Sequence, residues 1–111
     1  MAVELVIELY SLTEKFPPSE NFGLTNQIRK AAVSIPSNIA EGQGRNSAKE
    51  FRQFLSVSTG SVAELETQLI IAQGVKYMSQ EELGPLLNTL DRIKKMIKSL
   101  ANKVTIAYVK S

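Results

Sequence analysis

The sequence predicts an all-α protein, an antiparallel up-down-up-down four-helix bundle. Three observations carry that expectation: apolar residues recur at helical spacing, prolines and glycines divide the pattern into four parts, and two capping boxes open the last two of them. With 111 residues the chain is one domain by size, covering residues 1–111. Hydrophobic residues make up 43% and charged residues 22%, which suits a chain with a packed core.

The first helix is expected over residues 2–15. Glu4, Glu8, Ser11 and Lys15 fall on one face, and Val3, Leu5, Val6, Ile7, Leu9, Tyr10 and Leu12 cover more of the rest than one core-facing stripe requires. Pro17 and Pro18 end it, because proline disfavours helical backbone in the residue before it.

The second helix is expected from Ser19 or Glu20 to about Ala40. Phe22, Leu24, Ile28, Ala31, Ala32, Ile35 and Ile39 form its apolar face. Pro36 lies inside this pattern, so a kink is expected at residues 32–36, with Ser34 or Ser37 serving a freed backbone group. Gly42-Gln43-Gly44 is expected to stop the helix in a turn where glycine takes positive φ.

Ser47 and Glu50 form the first capping box. From there Phe51, Leu55, Ser58, Val62, Leu65, Leu69 and Ala72 alternate at spacings of four and three, a bundle seam reaching about residue 75, with Gly74 and Lys76 at its end. Ser79 to Glu82 is the second box. Leu83, Leu86, Leu90, Ile93, Ile97, Leu100, Val104 and Ala107 continue as an unbroken heptad series, with a distorted turn expected at Gly84-Pro85.

The chain has neither histidine nor cysteine. Disulfides, thiolate metal sites, Ser-His-Asp and Cys-His pairs, imidazole bases and Glu-x-x-His di-iron sites are therefore excluded, and no catalytic residue, metal or cofactor is expected. A carboxylate-based enzyme would need a pocket with converging Glu residues. No apolar run is long enough to span a bilayer, and the apolar start, interrupted by Glu4 and Glu8, does not read as a secretory leader; cytoplasm is the default compartment.

Residues 1–90 carry seven basic and ten acidic side chains, a net of −3, whereas residues 91–111 carry six basic and one acidic, a net of +5. Candidate nucleic-acid contacts are Arg29 and Lys30 in helix two, Arg45 in the turn after it, Lys49 and Arg52 at the start of helix three, and Lys94, Lys95 and Lys98 in helix four. Clustered cations displace counterions from phosphates, which is the chemistry of such a surface. The same charges also fit a solvated face paired to Glu41 or Glu50, or a last helix complementing its own dipole. Gly42-Gln43-Gly44-Arg45 follows a helix and lacks the spacing of a phosphate-binding loop. Ser61, Glu64 and Gln68 lie beside the seam of helix three, placed for a buried polar network or a contact between subunits.

Phe16-Pro17-Pro18-Ser19-Glu20, the run from Phe22 to Gly42 that contains Ala32-Val33-Ser34-Ile35-Pro36-Ser37-Asn38-Ile39-Ala40-Glu41-Gly42, and Glu64-Leu65-Glu66-Thr67-Gln68-Leu69 resemble the four-helix-bundle proteins encoded in bacterial large-subunit rRNA intervening sequences. The resemblance spans residues 5–100. It extends to the accessory variability determinant of diversity-generating retroelements, and so implies a ring-like homopentamer with a basic surface, RNA or DNA as ligand, and a reverse transcriptase as protein partner. Arg29, Lys30 and Arg45 match basic places in the family pattern, while Pro36, Asn38, Glu41 and Gly42 match its kink and turn. The function expected is a non-enzymatic, homo-oligomeric nucleic-acid-binding protein; the alternative is an interaction adaptor with no direct nucleic-acid contact.

Overall fold

Four helices account for nearly all of the chain in the computed structural model, which describes the backbone of residues 1–110 and the side chains of residues 1–104. They are α1 (Ala2–Thr13), α2 (Leu24–Gln43), α3 (Ala48–Gly74) and α4 (Gln80–Lys110), with a 3-10 turn at Pro18–Glu20. Among the described residues there is no strand, and the molecule measures 52 × 24 × 19 Å.

α1 is two residues shorter than its pattern predicts. The Thr13 hydroxyl donates to the Leu9 carbonyl at 2.7 Å, and the chain leaves the helix through Lys15 and Phe16 amides bonded to Leu12 and Thr13. Leu5, Leu9 and Thr13 are the buried stripe of α1, with Ala2, Val6 and Leu12 packed partly against the core, while Val3 and Ile7 are more than half exposed. Burying Leu9 completely is worth about 1.5–3 kcal/mol.

The expected start of helix two is corrected. Ser19 and Glu20 belong to the 3-10 turn, and α2 begins at Leu24, whose amide donates to Glu20 Oε1 at 3.0 Å. That carboxylate at a helix N-terminus satisfies a free amide and meets the positive end of the dipole. The Tyr77 hydroxyl donates to Glu20 Oε2 at 2.9 Å, so one side chain ties the first loop to the α3–α4 loop. The Leu24 amide first, and the Tyr77 hydroxyl second, hold the Glu20 carboxyl below the usual value; the same bond to Glu20 raises Tyr77. Phe22, expected on the apolar face, lies outside the helix and is 96% exposed.

α2 runs without interruption through Pro36. The Ser34 hydroxyl lies 2.7 Å from Ser61 Oγ and accepts from Asn38 Nδ2, which also bonds the Ser34 carbonyl. Ser58 donates to the Ile35 carbonyl at 2.8 Å. These bonds register α2 against α3, the most extensively packed pair, with Ala31 and Ala32 keeping the approach close.

The glycine turn is also corrected. α2 continues to Gln43, no glycine has positive φ, and Gly42 is buried inside the helix. A Cβ at Gly42 would stand 2.9 Å from Phe51 Cδ1 and 2.9 Å from Phe54 Cβ. The residue is small because α3 passes against it, not because the backbone turns there.

In α3 the Glu50 amide donates to Ser47 Oγ, and the predicted seam is buried from Leu55 to Ala72 with Phe51 half-buried. The left-handed residue that ends it is Lys76 (φ 68°), not Gly74. The Tyr77 amide reaches the Ala72 carbonyl and the Lys76 amide reaches Gln73, a Schellman closure. A side chain in that conformation costs about 1 kcal/mol relative to glycine. Lys76→Gly is therefore expected to raise the melting temperature by a few degrees, which thermal unfolding followed by circular dichroism measures directly.

At the start of α4 both halves of the second box form: the Ser79 amide donates to Glu82 Oε1 at 2.9 Å, and the Glu82 amide to Ser79 Oγ at 3.1 Å. Leu83, Leu86, Leu90, Ile93 and Ile97 are buried in the core, and Leu100 is half-buried against it. The Ala107 side chain lies outside the described residues. Phe16 and Tyr77 rings, 5.4 Å apart, close the loop end of the core together with buried Met78.

Candidate nucleic-acid interface

The eight cations singled out in the sequence do not form one surface. Arg29 and Arg45 are separated by about 24 Å along the α2 direction at 1.5 Å per residue, and the groups divide into two grooves, the α2–α3 end and, for Lys95, an ion pair within α4.

Arg52, Lys94 and Lys98 are brought together. One turn into α3, Arg52 lines a groove of about 390 Å³ between α3 and α4, with Ser56 and Thr59 beside it and Lys94 and Lys98 across it. Leu55, Ile97 and Ala101 make the floor. The helical register explains the meeting: Lys94 and Lys98 are four apart and flank buried Ile97, as Arg52 and Ser56 flank buried Leu55. Lys94 Nζ lies 3.2 Å from Glu66 Oε1, while Arg52 and Lys98 are exposed and have no carboxylate partner among the described residues.

Arg29 serves the fold first. Its Nε donates to Thr13 Oγ1 at 2.9 Å, its Nη2 to the Tyr10 carbonyl at 3.2 Å, and its guanidinium carbon sits 4.5 Å from the Tyr10 ring centroid. It thereby supplies the cation that the last turn of α1 lacks. Lys30 beside it is exposed. Both line a groove of about 450 Å³ between α1 and α2, with Tyr10, Asn26, Val33, Ser34 and Ser37.

Arg45 pairs with Glu41 at 2.7 Å and lies over the Phe54 ring at 5.0 Å, so it fastens the α2–α3 turn. Lys95 pairs with Asp91 at 3.1 Å, and Lys49 stands exposed on the first turn of α3. Asn38, Glu41 and Gly42 act inside or at the end of α2, as described above. Pro36 is half-buried within it.

The polar trio of α3 is partly a network. Ser61 and Gln68 are buried; Ser61 meets Ser34, and Gln68 Nε2 donates to Glu64 Oε1 at 3.1 Å, leaving Gln68 Oε1 buried without a hydrogen bond. A third groove, about 210 Å³ between α1 and α4, carries Glu8, Glu81 and Glu82. The Glu82 carboxylate is engaged by Ser79 and by Lys15 at 3.9 Å, and the Ser79 amide foremost holds its carboxyl below the usual value. Among the described residues no cluster of side chains has the make-up of a metal site, and no helix is long and apolar enough to cross a membrane.

Sequence reasoning did not find the hydroxyls of Ser56 and Thr59, nor Tyr10 and Asn26 as groove residues. Projecting both sides of each helix, rather than the apolar face alone, would have placed Ser56 and Thr59 beside Arg52.

The fold and its grooves define a small helical-bundle protein with a cation-lined cleft. The family model described as 23S rRNA-intervening sequence protein matches residues 1–99, and the chain belongs to that family. No curated protein matches the sequence. Among solved structures, a protein of unknown function from the S23 ribosomal protein family of Bacteroides thetaiotaomicron VPI-5482 superposes with a TM-score of 0.83 at 22% identity, over 90% of this chain and 94% of that one. That likeness is one of fold.

Proposed function

We propose that the chain is a non-enzymatic homo-oligomeric scaffold, a pentamer by family resemblance, that binds RNA or DNA in the cytoplasm through the groove between α3 and α4. The observation that carries this reading is the convergence of Arg52, Lys94 and Lys98 over an apolar floor, with Ser56 and Thr59 between them. Among the described residues two of the three cations have no carboxylate partner, so a phosphate backbone is the natural counter-charge. The family's association with rRNA-encoded sequences is consistent with RNA as the ligand. A reverse transcriptase is the protein partner that the resemblance brings.

The absence of histidine and cysteine supports a non-catalytic role. So does the capping engagement of Glu82 in the acidic groove, whose carboxylate the Ser79 amide holds ionised rather than poised as an acid. The same reading takes the helices as up-down-up-down, because consecutive helices pack on one another across short connections, and takes α2 as bent at Pro36, which has no amide to offer. Titrating a fluorescein-labelled RNA at rising salt tests the function: affinity should fall steeply, and no binding at about 50 mM salt would refute it.

A specific observation favours the adaptor reading as the second. On the back of α3, Gly60, Ala63, Thr67, Ile70 and Gly74 recur at spacings of three and four, all exposed and none charged. Such a face suits another helix, from a second subunit or a partner protein. Ala63→Arg is expected to convert an oligomer to monomers in native mass measurements; unchanged mass would show that this face is not the subunit contact.

A further inference from the structure

We propose that the groove between α1 and α2 is a base-stacking subsite for single-stranded nucleic acid, distinct from the phosphate-binding groove between α3 and α4. It rests on the nucleic-acid reading above and goes beyond it by naming the form of the ligand. Tyr10 is 41% exposed, and its ring already carries the Arg29 guanidinium at 4.5 Å. Arg29 is fixed in that position by Thr13 Oγ1 and the Tyr10 carbonyl, so the stacked pair is built before any ligand arrives. An aromatic ring and a guanidinium plane are the two surfaces on which unpaired bases stack, and the contact is tolerant of sequence.

Three further side chains in the same groove are unengaged: those of Asn26, Lys30 and Ser37 make no hydrogen bond or ion pair with the described residues. The Asn26 amide offers a donor and an acceptor suited to a base edge, and the Lys30 ammonium offers charge to the adjoining phosphate. Exposed Val33 supplies apolar area beside them. A groove of about 450 Å³ accommodates a nucleotide-sized group and not a duplex. A paired base has no free face for Tyr10, so the subsite selects single strands.

The test compares a fluorescein-labelled ten-nucleotide single strand, an abasic strand of equal charge, a duplex and a free mononucleotide. Wild-type protein should bind the single strand roughly 5- to 150-fold tighter than the abasic strand, the range of one stacked base. Tyr10→Ala should abolish that difference, and Tyr10→Phe should restore it. Asn26→Asp, which places a carboxylate in the groove without touching the Tyr10–Arg29 pair, should weaken the single strand more than the duplex. Equal binding of single and abasic strands, or a preference that survives Tyr10→Ala, overturns the subsite while leaving salt-dependent binding at the other groove intact. A mononucleotide that binds as tightly as the strand overturns the assignment to a polymer. Failure of every probe to bind overturns the nucleic-acid reading itself.

Discussion

Reversing two charges in one groove, Arg52→Glu together with Lys98→Glu, is expected to weaken RNA binding by roughly 100-fold, because like charges facing phosphates cost several kcal/mol. Both side chains are exposed and neither has a carboxylate partner among the described residues, so their reversal breaks no ion pair there. Lys94 is left in place because its ion pair with Glu66 spans α3 and α4. The matched control is Lys95→Glu, a charge reversal next to the groove on a side chain already paired with Asp91. That variant should lose less than about 5-fold, the effect of one screened surface charge. A double variant that binds like wild type, or a control that falls as far, would remove the groove from the account. Unfolding curves should be unchanged within about 0.5 kcal/mol for exposed sites of this kind.

The second large effect is on stability, and it has opposite signs at two glycines. Gly42→Ala should destabilise the protein by about 1–3 kcal/mol, the usual cost of forcing a methyl group into packed space. Its Cβ would meet Phe54 Cβ at 2.9 Å, an atom next to the α3 backbone that cannot rotate away, and the Phe51 carbonyl at 3.3 Å. Gly60→Ala should instead stabilise an isolated subunit by about 0.8–1 kcal/mol, the ordinary helix-interior difference between these residues. Nothing lies within 4 Å of a Cβ at Gly60. Chemical denaturation of both variants at one protein concentration reads the pair. Stabilisation at Gly42 would contradict the packing described, and destabilisation at Gly60 would show that another chain occupies that face.

Helix three and helix four were legible in the sequence because local and global signals agree there. Ser79 and Glu82 cap reciprocally, Ser47 accepts the Glu50 amide, and the heptad residues from Leu55 to Ala72 and Leu83 to Ile97 are buried. The loops were less legible. Nothing in the local pattern shows that Glu20 reaches forward to the Leu24 amide and across to Tyr77, which displaces Phe22 from the helix. The role of Gly42 was misread for the same reason: a glycine required by a neighbouring helix looks, in sequence, like one required by a turn. Of the candidate site, residue types were legible but their company was not. Arg29 and Arg45 are drawn into contacts with Tyr10, Thr13, Glu41 and Phe54, whereas Arg52 and Lys98, more than forty positions apart, share a groove.

The most direct test of that groove as a phosphate site is the slope of log affinity against log salt for a single-stranded RNA. Engagement of Arg52, Lys94 and Lys98 predicts a slope of about −2 or steeper for wild type, at about −0.7 per phosphate contacted, and a clear loss of slope in the double charge-reversal variant. A slope near zero, or the same slope in both proteins, would contradict it.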